Sequence, residues 1–367
     1  MLREATLSRY EQVYTCNVPQ TRNTLARSIA GNGENTAPLP KVELHLHLDC
    51  SLSYSLVARL DPAISQAEYE RDFIAPSKCG TLVDFLKRAP RAVQLMQNES
   101  ALRMATKDVF EQLAEDGVIY AEIRFAPLLH LERGLSAEQV VAAVNRATEE
   151  CSRASGIEAR LILCALRHFD EGQSMETVRL VERFEGSAVV ALDLAGDEAG
   201  FPLDAHVPAF RHAREAGLHC TAHAGEARGA ESVWETLGAL RPARIGHGAR
   251  SIEDPALVEH LRRERIHLEI CPTSNVQTNL CVGYADHPVD RLHRAGVSVG
   301  INTDARTISN VTLTKEYARL GRNFGWGKTE LLACNQEAVR AAFLPEPARE
   351  RLAAKLEAAY AEGNGKS

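Results

Sequence analysis

Eight short apolar runs, separated by stretches with helical periodicity, constrain the fold of this 367-residue chain more than any other feature. The runs are VELHLHLD from 42, VIYAEIRFAP from 118, ARLILCALR from 159, VVALDLAGDE from 189, LHCTAHAGE from 218, ARIGHG from 243, IHLEICPTSN from 266 and VSVGINTDA from 297. Short strands that alternate with helices are typical of a parallel sheet covered by helices. Because eight such units suit a closed barrel better than an open sheet, we predict an α/β fold with a single (β/α)8 TIM barrel.

The segments around these runs predict the remaining organisation. Helices are expected over 137–154, 207–216, 230–240 and 255–264, with closing helices after residue 310 and over 329–361. The first interval, about 70 residues long, contains predicted helices over 82–94 and 101–115, so we expect a helical lid insertion from about 53 to 115. Residues 1–40 are interpreted as an N-terminal extension that ends in the linker GNGENTAPLP, which leaves 41–367 as the barrel domain.

Composition argues against several classes of partner. Forty-two basic and 49 acidic residues give a net charge of -7, and no basic run is present, so we do not expect a nucleic-acid partner. The longest apolar stretches, such as LILCAL at 161–166, are far shorter than the roughly 20 residues that span a membrane. Nine cysteines without a Cys-x-x-Cys pair predict a reducing, cytoplasmic location. The oligomeric state is not indicated.

The first predicted strand, KVELHLHLDC at 41–50, carries an unusual polar face. Side chains alternate along a strand, so Glu43, His45, His47 and Asp49 lie on the face opposite the apolar residues. One His-x-His pair is unremarkable in a chain with 13 histidines, and the rest of the sequence must decide its meaning.

Other predicted strands also end in polar residues. They are Gly196, Asp197 and Glu198 after the fourth strand, His223 and Glu226 after the fifth, His247 after the sixth and Asp304 after the eighth. The carboxyl ends of barrel strands meet at one mouth, so these side chains should converge. Three imidazoles and a carboxylate suit a divalent cation, zinc above all, with a position left open for water. For His212, His260 and His293 on predicted helices, and His168, His206 and His287 in loops, we expect solvated or capping roles.

Taken in order, the motifs HLHLD, LAGDE, HAGE, IGHG and NTD resemble those of the adenosine deaminases of the amidohydrolase superfamily, and they span residues 42 to about 305. The resemblance implies the (β/α)8 fold, one zinc ion per chain and conversion of adenosine, or a related 6-aminopurine nucleoside, to inosine and ammonia. By the same resemblance zinc would be held by His45, His47, His223 and Asp304, with Glu226 and His247 as the catalytic pair. Asp49 and the backbone amide of Gly196 would contact the purine and the ribose.

These residue types also fit the chemistry. Zinc lowers the pKa of a bound water to about 7, and His247 could orient or deprotonate that water. An aromatic ring resists attack until it is polarised, so a carboxylic acid such as Glu226 must protonate the ring nitrogen next to the attacked carbon. Gly225 would let the backbone turn sharply in front of Glu226.

Three alternatives are weighed against this reading. Binuclear amidohydrolases bridge two metals with a modified lysine after strand four, but VVALDLAGDE contains no lysine. Small zinc deaminases use His-x-Glu with Pro-Cys-x-x-Cys, and this chain has HLE at 130 and 267 but lacks the second motif. A non-catalytic, ligand-binding barrel would not need the complete water-activating set.

Two positions depart from the family pattern. Ala305 stands where the family has a second aspartate that faces the imidazole ring of the purine, and Cys50 stands where it has glycine. Arg306 could supply a donor to the substrate or pair with a local acid. Adenosine is therefore the first expected substrate, and the alternatives are adenine or a 5'-modified adenosine such as an aminofutalosine-type nucleoside.

Overall fold

In the computed structural model, residues 38–361 are described, so the predicted extension of residues 1–40 lies outside them except for its last three positions. One parallel sheet contains all eight predicted strands in the order in which they follow in the chain. A parallel bridge between Leu46 and Asp304 joins the first strand to the segment after the last. The predicted (β/α)8 barrel is thus confirmed.

The strands are short and largely buried. They are β1 Lys41–His47, β2 Val118–Phe125, β3 Glu158–Leu166, β4 Val189–Ala195, β5 His219–Ala224, β6 Arg244–His247, β7 His267–Ile270 and β8 Val299–Ile301. Each coincides with one of the apolar runs, because a strand covered by helices outside and by barrel side chains inside is buried on both faces and is mostly apolar.

Helices follow every strand, and further helices fill the interval between β1 and β2 and the segment after β8. They are α1 Tyr54–Leu60, α2 Gln66–Phe73, α3 Leu82–Leu86, α4 Ala89–Leu95, α5 Glu99–Glu115, α6 Ala137–Ser155, α7 Glu171–Arg183, α8 Val207–Glu215, α9 Ala230–Ala239, α10 Pro255–Glu264, α11 Pro272–Gln277, α12 Val289–Arg294, α13 Leu313–Phe324, α14 Lys328–Ala341 and α15 Glu346–Ala361. Within these residues, no helix is both long and apolar enough to cross a membrane.

Local sequence explains where these helices begin and end. Ser136 and Gln139 form a capping box at the start of α6, and Gly156 ends that helix in the left-handed conformation. The single helix predicted over 82–94 is wrong, because the chain forms α3 and α4 with a break between them. Pro90 lies in the first turn of α4, where its missing N–H is tolerated, but it could not continue a helix that began at Leu82.

The insertion between β1 and β2 covers the end of the barrel that is formed by the carboxyl ends of the strands. Helix α4 packs against the turn that follows β1, Leu48–Cys50, and against the turn that follows β2, Pro127–His130. Backbone hydrogen bonds from Ala75 to Ile308 and from Cys79 to Gln277 fasten the insertion to the loops after β8 and β7. Helix α5 instead packs on β2 and α6.

Candidate active site

Four predicted ligands meet at the mouth of the barrel. His45 Nε2 and His47 Nε2 each lie 3.4 Å from Asp304 Oδ1, and His47 Nε2 lies 3.2 Å from His223 Nε2. One ligand atom from each of the four residues falls within 4.8 Å of all the others. Strands β1, β5 and β8 therefore bring together the set that the sequence predicted.

The donor set fits a metal ion. His45 Nε2 is buried and has no hydrogen-bond partner among the described residues, and a metal ion at the centre would supply the partner that this nitrogen lacks. Three imidazole nitrogens and one carboxylate match the ligands of borderline divalent cations. Gly246 in β6 keeps the space between the rings open, since a Cβ there would lie 3.0 Å from His45 Cε1.

Two buried carboxylates orient the imidazoles. His45 Nδ1 donates to Glu269 Oε2 at 2.8 Å, and His223 Nδ1 donates to Asp193 Oδ1 at 3.2 Å. A carboxylate can only accept, so the proton of each neutral ring lies on Nδ1 and the Nε2 lone pair faces the centre. Burial alone would raise the pKa of Asp193, but the charges of His223 and Arg124 hold it below its usual value.

A single guanidinium holds both carboxylates. Arg124 Nη1 lies 2.9 Å from Asp193 Oδ2, and Arg124 Nη2 lies 2.7 Å from Glu269 Oε2. All three side chains are fully buried. Our sequence reasoning gave them no role, although ionisable residues inside the apolar runs of β2, β4 and β7 were a usable signal.

Glu226 is carried on a turn that another carboxylate fixes. Glu198 accepts hydrogen bonds from four successive backbone N–H groups, residues 225–228, at 2.6–3.0 Å, and from the Ser232 hydroxyl. Gly225 has φ +66°, and a Cβ there would lie 2.7 Å from Val233 Cγ2, so the turn requires glycine. The predicted strand-end residue Glu198 therefore positions the predicted acid.

The predicted catalytic pair is in contact. Glu226 Oε2 lies 3.5 Å from His247 Nε2, and both residues are almost fully buried. Burial raises the pKa of Glu226 well above its usual value, and the charges of Asp304 and Glu198 raise it further. A raised pKa favours the protonated form of the carboxyl group, which is the form that a general acid requires.

The remaining predicted residues lie around this centre. Asp49 is 5% exposed, accepts a hydrogen bond from Ala126 N at 3.3 Å and lies 3.9 Å from His130 Nε2. Burial raises the pKa of Asp49 to about 6. Gly196 follows β4 with φ +101°, a left-handed conformation that favours glycine. Asp197 accepts from the backbone N–H groups of the turn that follows it.

The positions that depart from the family pattern lie beneath the insertion. Ala305 and Cys50 pack with Leu82 and Phe85 of α3 in a small apolar cluster. Arg306 is buried and lies 2.6 Å from Glu43 and 3.0 Å from Asp116. Of the two roles left open for Arg306, pairing with local acids is the one found.

The other histidines lie apart from the four-residue ligand set. His212, His260 and His293 are on α8, α10 and α12, as predicted. His206 is buried and bonded to Ser174 and the carbonyl of Arg167, while His287 accepts the backbone N–H of Val289. His206 is thus hydrogen-bonded inside the protein instead of solvated, whereas His287 caps the first N–H of α12, one of the two roles expected for it.

Comparisons with known proteins agree with this geometry. The family model described as adenosine deaminase matches residues 40–359. An adenosine deaminase of Mycolicibacterium gilvum is 38% identical, covering 87% of this chain and 94% of the relative, and one of Clostridium acetobutylicum is 34% identical, covering 88% and 99%.

Solved structures are similar over the same region. An adenine deaminase from Arthrobacter aurescens has a TM-score of 0.81 at 27% identity, covering 88% of this chain and 99% of that one. Arabidopsis ADAL in complex with IMP has a TM-score of 0.79 at 27% identity, covering 88% and 98%. The chain belongs to the adenosine deaminase family of the amidohydrolase superfamily.

Proposed function

We propose that this protein is a zinc-dependent hydrolytic deaminase that converts adenosine, or a closely related 6-aminopurine nucleoside, to the 6-oxo product and ammonia. Membership of its family makes it a hydrolase of carbon–nitrogen bonds in cyclic amidines. The observation that carries the proposal is the convergence of His45, His47, His223 and Asp304 beside the buried Glu226, whose pKa is raised by burial. One zinc ion, held by these four residues, would lower the pKa of a bound water to about 7.

The remaining chemistry is assigned to side chains of the mouth. Glu226 donates its proton to the ring nitrogen next to C6, which makes that carbon electrophilic, and the oxygen of a water molecule then adds to C6. One proton of that water goes to the amino group, which leaves as ammonia when its bond to C6 breaks, and the other proton returns to Glu226. His247 faces Glu226 and holds the attacking oxygen. Asp49 and the backbone of Gly196 bind the ribose and the purine. Because the residues of the mouth are buried, water is kept from competing for their hydrogen bonds.

A second candidate substrate class is favoured by the apolar cluster under α3. Ala305 cannot accept or donate a side-chain hydrogen bond, and Cys50 adds bulk next to Asp49. A site of this kind suits adenine or a 5'-modified adenosine as well as adenosine itself. Ammonia release should be measured for adenosine, adenine, AMP and 5'-methylthioadenosine. We expect the highest kcat/KM for adenosine, whereas release from none of the four would refute the proposed activity.

A cytoplasmic location is part of the proposal. Eight cysteines lie in the described part of the chain, and all of them have free thiols. Free thiols without disulfides are typical of a reducing compartment.

The first prediction concerns metal content. Purified active protein should contain about one zinc per chain, since residues 38–361 offer one set of three histidines and an aspartate. Dialysis against a chelator should remove both the metal and the activity, and added zinc should restore both. Elemental analysis checks the ratio, and active protein without a bound transition metal would contradict it.

The second prediction concerns the guanidinium behind the ligands. Arg124→Lys should weaken zinc binding by at least ~10-fold, because one ammonium cannot span Asp193 and Glu269, and losing such outer partners typically costs 10–100-fold. Competition with a fluorescent chelator measures the affinity.

Arg244→Lys is the matched control for this prediction. Arg244 is equally buried but binds Glu269 through the other oxygen, at 2.7 Å, and pairs with Glu122 instead of Asp193. Equal losses of zinc affinity in the two variants would show that Arg124 has no special role.

A further inference from the structure

A chain of hydrogen bonds runs from the start of α12 to His247. The backbone N–H of Val289 donates to His287 Nδ1 at 3.1 Å, and His287 Nε2 lies 3.2 Å from Asn275 Oδ1. Asn275 Nδ2 in turn lies 3.1 Å from His247 Nδ1. The three side chains are 0–2% exposed, so water does not compete for these bonds.

The direction of every bond in this chain is fixed by its first donor. A backbone N–H can only donate, so His287 Nδ1 accepts and the proton of that neutral ring lies on Nε2. His287 therefore donates to the amide oxygen of Asn275, which turns the NH2 group toward His247. An amide NH2 can also only donate, so His247 Nδ1 must carry a free lone pair.

This arrangement determines where His247 holds its own proton. A ring whose Nδ1 accepts a hydrogen bond is neutral and carries its proton on Nε2. That nitrogen lies 3.5 Å from Glu226 Oε2 and faces the centre, where the His45 and His247 rings are 4.8 Å apart. His247 thus presents an N–H group to the reacting atoms.

We propose that Asn275 and His287 are positioning residues that hold His247 as the Nε2–H tautomer, so that His247 acts as a hydrogen-bond donor to the attacking oxygen. In this state it is not the base that removes a proton from water, because the nitrogen that faces the centre has no lone pair to receive one. The inference rests on the proposed function and selects between the two roles, orienting or deprotonating, that the sequence left open for His247.

Asn275→Asp provides the test with the smallest change in shape. The new carboxylate can still accept a hydrogen bond from His287. Unlike the amide NH2 group, it cannot donate to His247, so a hydrogen bond between them requires a proton on His247 Nδ1. The ring proton of a neutral His247 therefore moves to Nδ1. Two-bond 1H–15N correlation spectra of histidine-labelled protein report the tautomer, with His247→Asn used to assign the signals. We expect Nε2–H in the parent and Nδ1–H in Asn275→Asp, with kcat at least ~10-fold lower, because one preorganised donor to a reacting oxygen is worth at least that factor.

KM should stay within about 3-fold, since substrate binding does not use this nitrogen. The control is Asn335→Asp, in a buried asparagine that binds Val42 N and Tyr317 instead of His247. Asn335→Asp should lower the free energy of unfolding, but it should change neither the NMR signal of the His247 ring nor the ratio of kcat to KM.

The inference requires kcat to be high in variants that have a proton on His247 Nε2 and low in variants that lack it. It is overturned if the parent shows Nδ1–H, or if Asn275→Asp loses the Nε2 proton and keeps its kcat, as a base at Nε2 would allow. If His247 in Asn275→Asp is instead protonated on both nitrogens, it keeps its Nε2–H donor, and the inference then requires kcat to be unchanged. The parent spectrum alone decides the tautomer if the variant does not fold. If the parent deaminates none of the aminopurines, the proposed function fails while the tautomer can still be read.

Discussion

Glu226→Gln should lower kcat by at least ~10²-fold while zinc content and folding stay nearly unchanged, since general acid catalysis typically contributes 10²–10⁴-fold. The amide is similar in shape to the carboxyl group but has no acidic proton to give to the purine ring. Glu226 N still donates to Glu198, so the turn that carries the side chain is retained. Steady-state ammonia release, elemental analysis and thermal unfolding measure the three quantities.

Glu316→Gln is the control for this variant. Glu316 is also fully buried, and burial raises its pKa to about 7, but it lies on α13 and accepts the backbone N–H of Thr273. Its replacement should leave kcat within about 2-fold because it takes no part in proton transfer to the substrate. A Glu226→Gln protein that kept most of its rate would remove Glu226 from the acid role.

The barrel and the convergence of polar side chains at its mouth could be predicted from periodicity, whereas the choice of four metal ligands among those side chains came from the resemblance to the family. Apolar runs marked the strands, and the carboxyl ends of parallel strands meet, so His45, His223 and Asp304 had to converge even though they are far apart in sequence. Apolar periodicity alone does not reveal the break between α3 and α4, because it continues on both sides of Pro90.

The residues behind the metal set were less accessible to sequence reasoning. Arg124 and Glu269 lie inside apolar strands, where a single ionisable residue gives no hint of its partner. Asn275 and His287 lie in loops, and their order as donors and acceptors depends on distances of about 3 Å between segments. A sequence pattern shows which face a side chain occupies but does not show which group it contacts there.

Backbone strain at the site also could not be predicted from the sequence. His247 and Asp304 have φ values of 59° and 64°, in the left-handed region that residues with a Cβ seldom adopt. Strain of this kind typically costs about 1–3 kcal/mol and is concentrated at functional sites. His247 is the last residue of β6 and Asp304 follows β8 by three residues, so we interpret the turns after these two strands as held for function at the expense of stability.

His247→Asn tests that interpretation together with the role of the imidazole. Asparagine adopts the left-handed conformation more readily than histidine, so relief of strain should offset the lost ring contacts, and the free energy of unfolding of the metal-free protein should change by less than ~1 kcal/mol. Turnover should nevertheless fall by at least ~10²-fold, because the shorter side chain cannot place a donor where His247 Nε2 faces Glu226. Denaturant unfolding and ammonia release give the two values.

His267→Asn supplies the comparison that makes the stability value informative. His267 is as buried as His247 and bonds to Ser298 at 2.8 Å, but it lies inside β7 and is not among the residues with positive φ. Its replacement offers no relief of strain and should cost about 2–3 kcal/mol through the cavity and the lost hydrogen bond. If the two variants were equally destabilised, the left-handed turn at His247 would store no strain. If instead His247→Asn kept its turnover, the imidazole would have no part in the reaction, because the turn that carries residue 247 is preserved.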